Sequence, residues 1–142
     1  MQNLNKYQNF YFVGIGGIGM SALARYFHAA GKNVLGYDKT ETKLTSALIS
    51  EGIDIVFEDK INEKISSLNP EETLVIYTPA IKVLGILDYF NENGFEVLKR
   101  AKVLGMITED TECIAVAGTH GKTTTSSLVA HLCKVANLPP VV

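Results

Sequence analysis

The fold class of this 142-residue chain can be predicted from one segment, Phe10-Tyr11-Phe12-Val13-Gly14-Ile15-Gly16-Gly17-Ile18-Gly19. Its apolar first half, ended by a glycine, is typical of a buried strand. Beyond the last glycine, apolar residues recur at the spacing of one helix face, at Met20, Leu23, Ala24 and Phe27. A strand that turns through glycines into a helix predicts an α/β fold with a nucleotide-binding loop.

The spacing of Gly14, Gly16 and Gly19 is that of a dinucleotide-binding loop. The first glycine allows a tight turn, the second lets the backbone approach a diphosphate, and the third lets helix and strand pack closely. Asp38 lies about 20 positions further on, where a carboxylate can accept hydrogen bonds from a nucleotide. Two alternatives stay open: glycines that serve packing only, and an Asp38 that caps the following helix.

The alternation of strand and helix continues along the chain. Further strands are predicted at 33–37, 53–57, 73–77 and 95–98. Helices are predicted from Thr40 or Thr42 to about Glu51, and at 59–68, 84–93 and 100–107. This order predicts right-handed crossovers and a Rossmann-like parallel sheet covered by helices on both faces.

A second glycine motif, Gly118-Thr119-His120-Gly121-Lys122-Thr123-Thr124, follows the apolar run 113–117. A strand is predicted over that run and a helix from the motif to about Ala136. Gly-Lys-Thr at a helix start is the core of a phosphate loop, whose amides cradle phosphates and whose Thr hydroxyl binds Mg²⁺. The longer form of the motif needs glycine where Val116 stands, so only the short form is matched. The alternative is a chance helix cap.

The composition excludes several classes of protein. Lys and Arg number 13 and Asp and Glu 15, for a net charge of −2, which offers no basic surface to nucleic acid. No apolar run approaches the roughly 18 residues of a membrane span. Residues 1–9 are polar, so no signal peptide is expected. Cys113 and Cys133 are predicted to be free thiols without a zinc site, in a reducing compartment. We therefore expect a cytoplasmic protein with no nucleic-acid or membrane partner.

The two glycine motifs in this order resemble the Mur ligase family, and two further stretches are similar: Tyr77-Thr78-Pro79-Ala80-Ile81 and Lys99-Arg100-Ala101. The resemblance implies that residues 1–107 form a Rossmann-like domain that binds a UDP-sugar. It implies that residues 108–142 open the central ATP-binding domain and that a third domain, which binds the amino acid, is missing. The chain is therefore expected to be the N-terminal piece of a longer enzyme.

The same resemblance implies an ATP-driven amide ligation with ATP and Mg²⁺ as cofactors. The carboxylate of UDP-N-acetylmuramate attacks the γ-phosphate, and the amine of L-alanine then displaces phosphate from the acyl phosphate. The site for L-alanine would lie outside this chain. We therefore expect no ligase turnover from these 142 residues alone.

The resemblance also implies roles for individual residues. Those expected to bind the UDP-sugar are Gly14, Gly16, Gly17, Gly19, Met20, Ser21, Asp38, Thr78, Pro79, Ala80 and Arg100. Those expected to bind ATP are Gly118, Thr119, His120, Gly121, Lys122, Thr123 and Thr124. Of these, Lys122 and Thr123 are the expected catalytic residues, and Thr123 is the expected metal ligand.

Three alternatives to this assignment stay open. One is an NAD-binding redox or sensor module, which the first glycine motif and Asp38 alone would favour. The second is the member of the same family that attaches a whole peptide to UDP-N-acetylmuramate. The third is a non-catalytic nucleotide-binding module that works with a partner chain. In addition, the apolar run 113–117 has no sheet of its own to join, which makes a homodimer through this run a hypothesis.

Overall fold

The computed structural model describes residues 4–81, 85–109 and 111–138. The chain forms two compact units, Met1–Asp110 and Thr111–Val142. The strands, all in the first unit, are β1 (Asn9–Val13), β2 (Asn33–Tyr37), β3 (Asp54–Val56), β4 (Thr73–Tyr77) and β5 (Glu96–Lys99). The helices of the first unit are α1 (Ile18–Ala29), α2 (Lys43–Ser50), α3 (Glu63–Ser66), α4 (Gly85–Glu92) and α5 (Arg100–Glu109), with short 3₁₀ turns at Leu4–Lys6 and Pro70–Glu72. The second unit contains α6 (Lys122–Val135).

The five strands form one parallel sheet in the order β3-β2-β1-β4-β5. The chain first moves outward from β1 to β3 and then crosses back to β4, so the winding reverses between β1 and β4. Val13 is paired with Tyr37 of β2 and with Tyr77 of β4. The loops that follow these three strands therefore emerge at one edge of the sheet, at the position where doubly wound folds bind ligands.

Side chains of the sheet alternate between two apolar layers. Phe10 and Phe12 of β1 pack on the face covered by α1, α2 and α5. Tyr11 and Val13 pack on the face covered by α3 and α4. The Phe10 ring stacks on that of Phe27 in α1, with centroids 3.8 Å apart. The prediction of a parallel sheet with helices on both faces is confirmed.

The predicted helix at 59–68 is much shorter in the structure, where α3 covers Glu63–Ser66. The Asn62 side chain caps α3 by accepting a hydrogen bond from the Ile65 amide. Asp59 instead serves another helix, because its carboxylate accepts hydrogen bonds of 2.8 Å from the first two amides of α4. The predicted start of α4 at residue 84 lies outside the described residues.

The predicted strand at 113–117 is absent, since residues 112–118 take no regular secondary structure. A strand is held by hydrogen bonds to a neighbouring strand, and none of the described residues of the second unit supplies one. The prediction of a strand there is therefore wrong for this chain. The predicted helix that follows is present as α6 and ends within one residue of its predicted end. None of the helices in the described part of the chain is long and apolar enough to cross a membrane.

Candidate functional site

The loop after β1 is fixed to the end of β2 by its backbone. The amides of Gly14 and Ile15 both donate to the Tyr37 carbonyl, at 2.7 and 3.0 Å. Gly14 has a φ of +87°, and a Cβ there would lie 2.6 Å from Cδ1 of Ile81. The first glycine of the motif is thus favoured by its backbone conformation, whereas the contact with Ile81 involves only the end of a half-buried side chain.

Asp38 joins the loops that follow β1 and β2. Its Oδ2 accepts a hydrogen bond of 2.7 Å from the Gly16 amide, and its Oδ1 accepts one of 3.1 Å from the Thr40 amide. The helix α2 has its own cap, Thr42, whose side chain accepts from the Thr45 amide. The alternative that Asp38 caps this helix is therefore wrong. Its carboxylate fixes the glycine loop instead.

Tyr37 lies at the base of the same edge and is almost completely buried. Burial raises the pKa of its phenol, and the negative charges of Asp59 and Asp38 raise it further. The phenol is therefore uncharged at neutral pH.

Replacing Asp38 by alanine is expected to lower the free energy of unfolding by about 1–2 kcal/mol, because two amides lose a charged hydrogen-bond acceptor. Urea unfolding followed by circular dichroism measures the change. The matched control is Glu58→Ala, which removes a carboxylate whose side chain is 73% exposed and pairs with Lys60. Equal urea midpoints for the two variants would contradict the conclusion that Asp38 stabilises the glycine loop.

Arg100 brings a positive charge to the glycine loop. It is the first residue of α5, and its Nη1 lies 2.8 Å from the position that a Cβ on Gly19 would take. The helix α1 starts beside it with Gly17 as N-cap and no side-chain cap. The first amides of a helix and its dipole attract anions, as does a guanidinium. The two features together make this point a candidate anion site.

The loop after β4 borders the glycine loop on the other side. Cγ2 of Thr78 lies 3.5 Å from the position that a Cβ on Gly14 would take. The Ile81 amide donates to the Thr78 carbonyl and closes a turn in which Pro79 and Ala80 are exposed. The structure thus brings the predicted residues of three strand ends together around the reversal between β1 and β4.

Met20 and Ser21 lie behind the loop rather than at its surface. Both side chains are buried, and both amides donate to the Gly17 carbonyl. The Ser21 hydroxyl donates to the carbonyl of Ile18 at 2.9 Å. These two residues of the predicted site therefore have their polar groups engaged inside α1, and they support the loop from within.

Two residues of this region were not predicted from the sequence to belong to the site. Ile18 opens α1 with its side chain 86% exposed, beside the glycines of the loop. Gly36 of β2 lies under the loop, where an added Cβ would come within 2.6 Å of Cδ1 of Ile15. Only the presence of a glycine inside β2, between Leu35 and Tyr37, could have indicated this close approach.

The phosphate-loop motif of the second unit turns directly into α6. Gly118 and Gly121 have φ angles of +155° and +77°, so both take conformations that favour glycine. The helix begins at Lys122 and has no side-chain cap. The ammonium of Lys122 donates to the Gly118 carbonyl at 2.7 Å and so lies across the loop. Thr119, His120, Thr123 and Thr124 are exposed around it.

The described residues were also compared with the requirements of metal sites and disulfides. They include no group of three or more His, Cys, Asp or Glu side chains that could hold a metal ion. Both cysteines are free thiols, as predicted; Cys113 is exposed and Cys133 half-buried.

Comparison with known proteins gives consistent matches. A model described as the Mur ligase family, catalytic domain, matches residues 9–111. The chain is 60% identical over 131 residues to the UDP-N-acetylmuramate–L-alanine ligase of Flavobacterium johnsoniae, covering 92% of this chain and 29% of that protein. The chain thus spans less than a third of the length of such curated relatives.

Two solved structures share the fold. One is the UDP-N-acetylmuramate–alanine ligase of Thermotoga maritima, with a TM-score of 0.77 at 33% identity over 91% of this chain and 30% of that chain. The other is a murein peptide ligase of Psychrobacter arcticus, also with a TM-score of 0.77, at 28% identity over 92% of this chain and 27% of that chain. The fold alone does not separate the two activities, whereas the sequence identity favours the alanine ligases.

Proposed function

This chain belongs to the Mur ligase family, and we propose that it is the N-terminal part of an ATP-dependent ligase that joins L-alanine to UDP-N-acetylmuramate in peptidoglycan synthesis. In this proposal residues 1–107 bind the UDP-sugar, and residues 108–142 open the ATP-binding domain. The site for L-alanine belongs to the rest of the enzyme. The proposal rests on one observation. The glycine loop, the Thr78 turn and Arg100 lie together at one edge of the sheet.

The diphosphate of the UDP-sugar would lie between Arg100 and the start of α1. The first amides of that helix and the guanidinium are the donors available to it, because Asp38 already occupies the Gly16 amide. Ile18 offers an exposed apolar surface beside this point. Thr78, Pro79 and Ala80 border the opposite side and would line the uridine. Asp38 takes part by fixing the loop.

The phosphate loop has the features that ATP requires. Gly118 and Gly121 give the loop its shape, the start of α6 is uncapped, and the Lys122 ammonium lies over the loop. Lys122 and the amides of the loop would bind the β- and γ-phosphates, and the Thr123 hydroxyl would bind Mg²⁺. ATP supplies the phosphoryl group that turns the carboxylate of the sugar into an acyl donor.

The second unit also presents an apolar surface of the kind that a domain core covers. Leu128, Leu132 and Val135 recur along one side of α6, each at least 59% exposed. In the proposal this side packs against the remainder of the ATP-binding domain. A homodimer through the run 113–117, in which Ile114 is 69% exposed, stays a prediction that sedimentation of the chain would test.

Thermal unfolding of this chain with UDP-N-acetylmuramate, NAD or ATP tests the proposal. We expect the UDP-sugar to raise Tm by several degrees, because a ligand at 100 times its Kd stabilises a protein by about 2.7 kcal/mol. NAD is expected to produce no shift, and ATP only a small one. A shift with NAD and none with the UDP-sugar would refute the proposal, as would micromolar ATP affinity without any binding of the UDP-sugar.

A further inference from the structure

The carboxylate of Asp59 reaches from the loop after β3 to the start of α4. Val56, the last residue of β3, is paired with Tyr37, so the loop that contains Asp59 leaves the sheet at the same edge as the candidate site. The two carboxylate oxygens accept hydrogen bonds of 2.8 Å from the amides of Gly85 and Ile86. The first amides of a helix have no partner within it, and a negative charge there also interacts favourably with the helix dipole. Asp59 therefore fixes the start of α4.

The helix α4 follows the loop after β4, whose turn at Thr78 is proposed to line the uridine. The first part of this loop is held by that turn, in which the Ile81 amide donates to the Thr78 carbonyl, and by the Ile81 side chain, which packs against the apolar layer under α3 and α4. At the other end of the loop, the Ile86 side chain of α4 is completely buried in the same layer. The loop is thus attached at two points, and Asp59 supplies the polar contacts of the second.

We propose that Asp59 is a positioning residue for the UDP-sugar. By holding the start of α4, it keeps the loop after β4 in the conformation that lines the uridine. The inference rests on the proposed function, because the ligand concerned is the UDP-sugar. Removal of a negative charge would by itself favour an anionic ligand, so a loss of affinity in a variant without this carboxylate has to come from the loop and not from net charge.

Asp59→Ala is expected to weaken the binding of UDP-N-acetylmuramate to this chain about three- to tenfold, because the loop would keep its binding conformation in only a fraction of the molecules. The matched control is Asn62→Ala, which removes the cap of α3 on the Ile65 amide. The chain after α3 runs to the opposite edge of the sheet, where β4 begins. Both variants should lower the urea midpoint, whereas only Asp59→Ala should lower the affinity measured by isothermal titration calorimetry.

Two further measurements separate the position of the loop from overall stability. Asp59→Asn keeps one acceptor oxygen without the charge, so it is expected to recover part of the affinity. It takes the place of Asp59→Ala in every comparison if the alanine variant does not fold. Hydrogen exchange of the Ile81 amide, followed by NMR without ligand, reports on the loop itself. We expect exchange about threefold faster in Asp59→Ala than in the wild-type chain, and unchanged in Asn62→Ala.

Several results would overturn the proposal. One is wild-type affinity in Asp59→Ala. Another is an equal loss of affinity in Asn62→Ala, which would mean that affinity follows overall stability. A third is unchanged exchange at Ile81 in Asp59→Ala. If the wild-type chain itself does not bind UDP-N-acetylmuramate, the proposed function fails, and exchange at Ile81 still decides whether Asp59 holds the loop.

Discussion

Replacing Arg100 by alanine is expected to weaken the binding of UDP-N-acetylmuramate to this chain by about 10- to 100-fold. A hydrogen bond between charged groups contributes about 1.5–3 kcal/mol, and each 1.4 kcal/mol is about a tenfold change in Kd. Nη1 of Arg100 lies 2.8 Å from the position that a Cβ on Gly19 would take. A diphosphate at the start of α1 would therefore be within reach of the guanidinium. Isothermal titration calorimetry measures the change in affinity.

The control for Arg100 is its neighbour, Lys99→Ala. This variant removes the same charge one residue earlier, from an exposed side chain at the end of β5. It should keep wild-type affinity. Arg100→Lys should recover only part of the binding, because an ammonium cannot donate two parallel hydrogen bonds in a plane. Equal affinities of the two alanine variants would show that net charge, and not the position of Arg100, attracts the ligand.

The sheet could be predicted from the sequence because buried parallel strands are continuous apolar runs bounded by turn residues. The predicted limits of β2 and β4 agree with the structure at every residue. The same reasoning failed for 113–117, which is just as apolar but has no neighbouring strand among the described residues. A sequence pattern indicates that a segment favours β-structure, but it does not show whether a neighbouring strand is present to pair with it.

Only part of the candidate site could be predicted from the sequence. The motif indicated Gly14, Gly16 and Gly19 through their spacing, which is a local property. The contact between Arg100 and Gly19 depends on the order of the strands, and only the family resemblance suggested that Arg100 belongs there. The bond from the Gly16 amide to Asp38 gave this carboxylate a different role from the ligand contact that the motif implies.

Gly36→Ala is expected to lower the free energy of unfolding of the first unit by about 1–3 kcal/mol, the usual cost of an extra methyl group in a packed core. The new Cβ would lie 2.6 Å from Cδ1 and 2.9 Å from Cβ of Ile15, and 3.0 Å from the carbonyl oxygen of Phe12. Ile15 is completely buried, so neither side chain has free space to move into. The loop after β1 would have to shift, and affinity for the UDP-sugar should fall together with stability.

A double-mutant cycle with Ile15→Val separates this clash from a general loss of strand stability. Valine lacks the Cδ1 atom that would lie nearest the new methyl group. The double variant should therefore be more stable than the sum of the two single effects by about 1 kcal/mol, within the range of couplings measured between contacting residues. Gly105→Ala is the matched control, because nothing lies within 4 Å of a Cβ added there. Strict additivity in the cycle would mean that Cδ1 of Ile15 is not the atom that requires glycine at position 36, which would leave Cβ of Ile15 and the carbonyl oxygen of Phe12 as the cause.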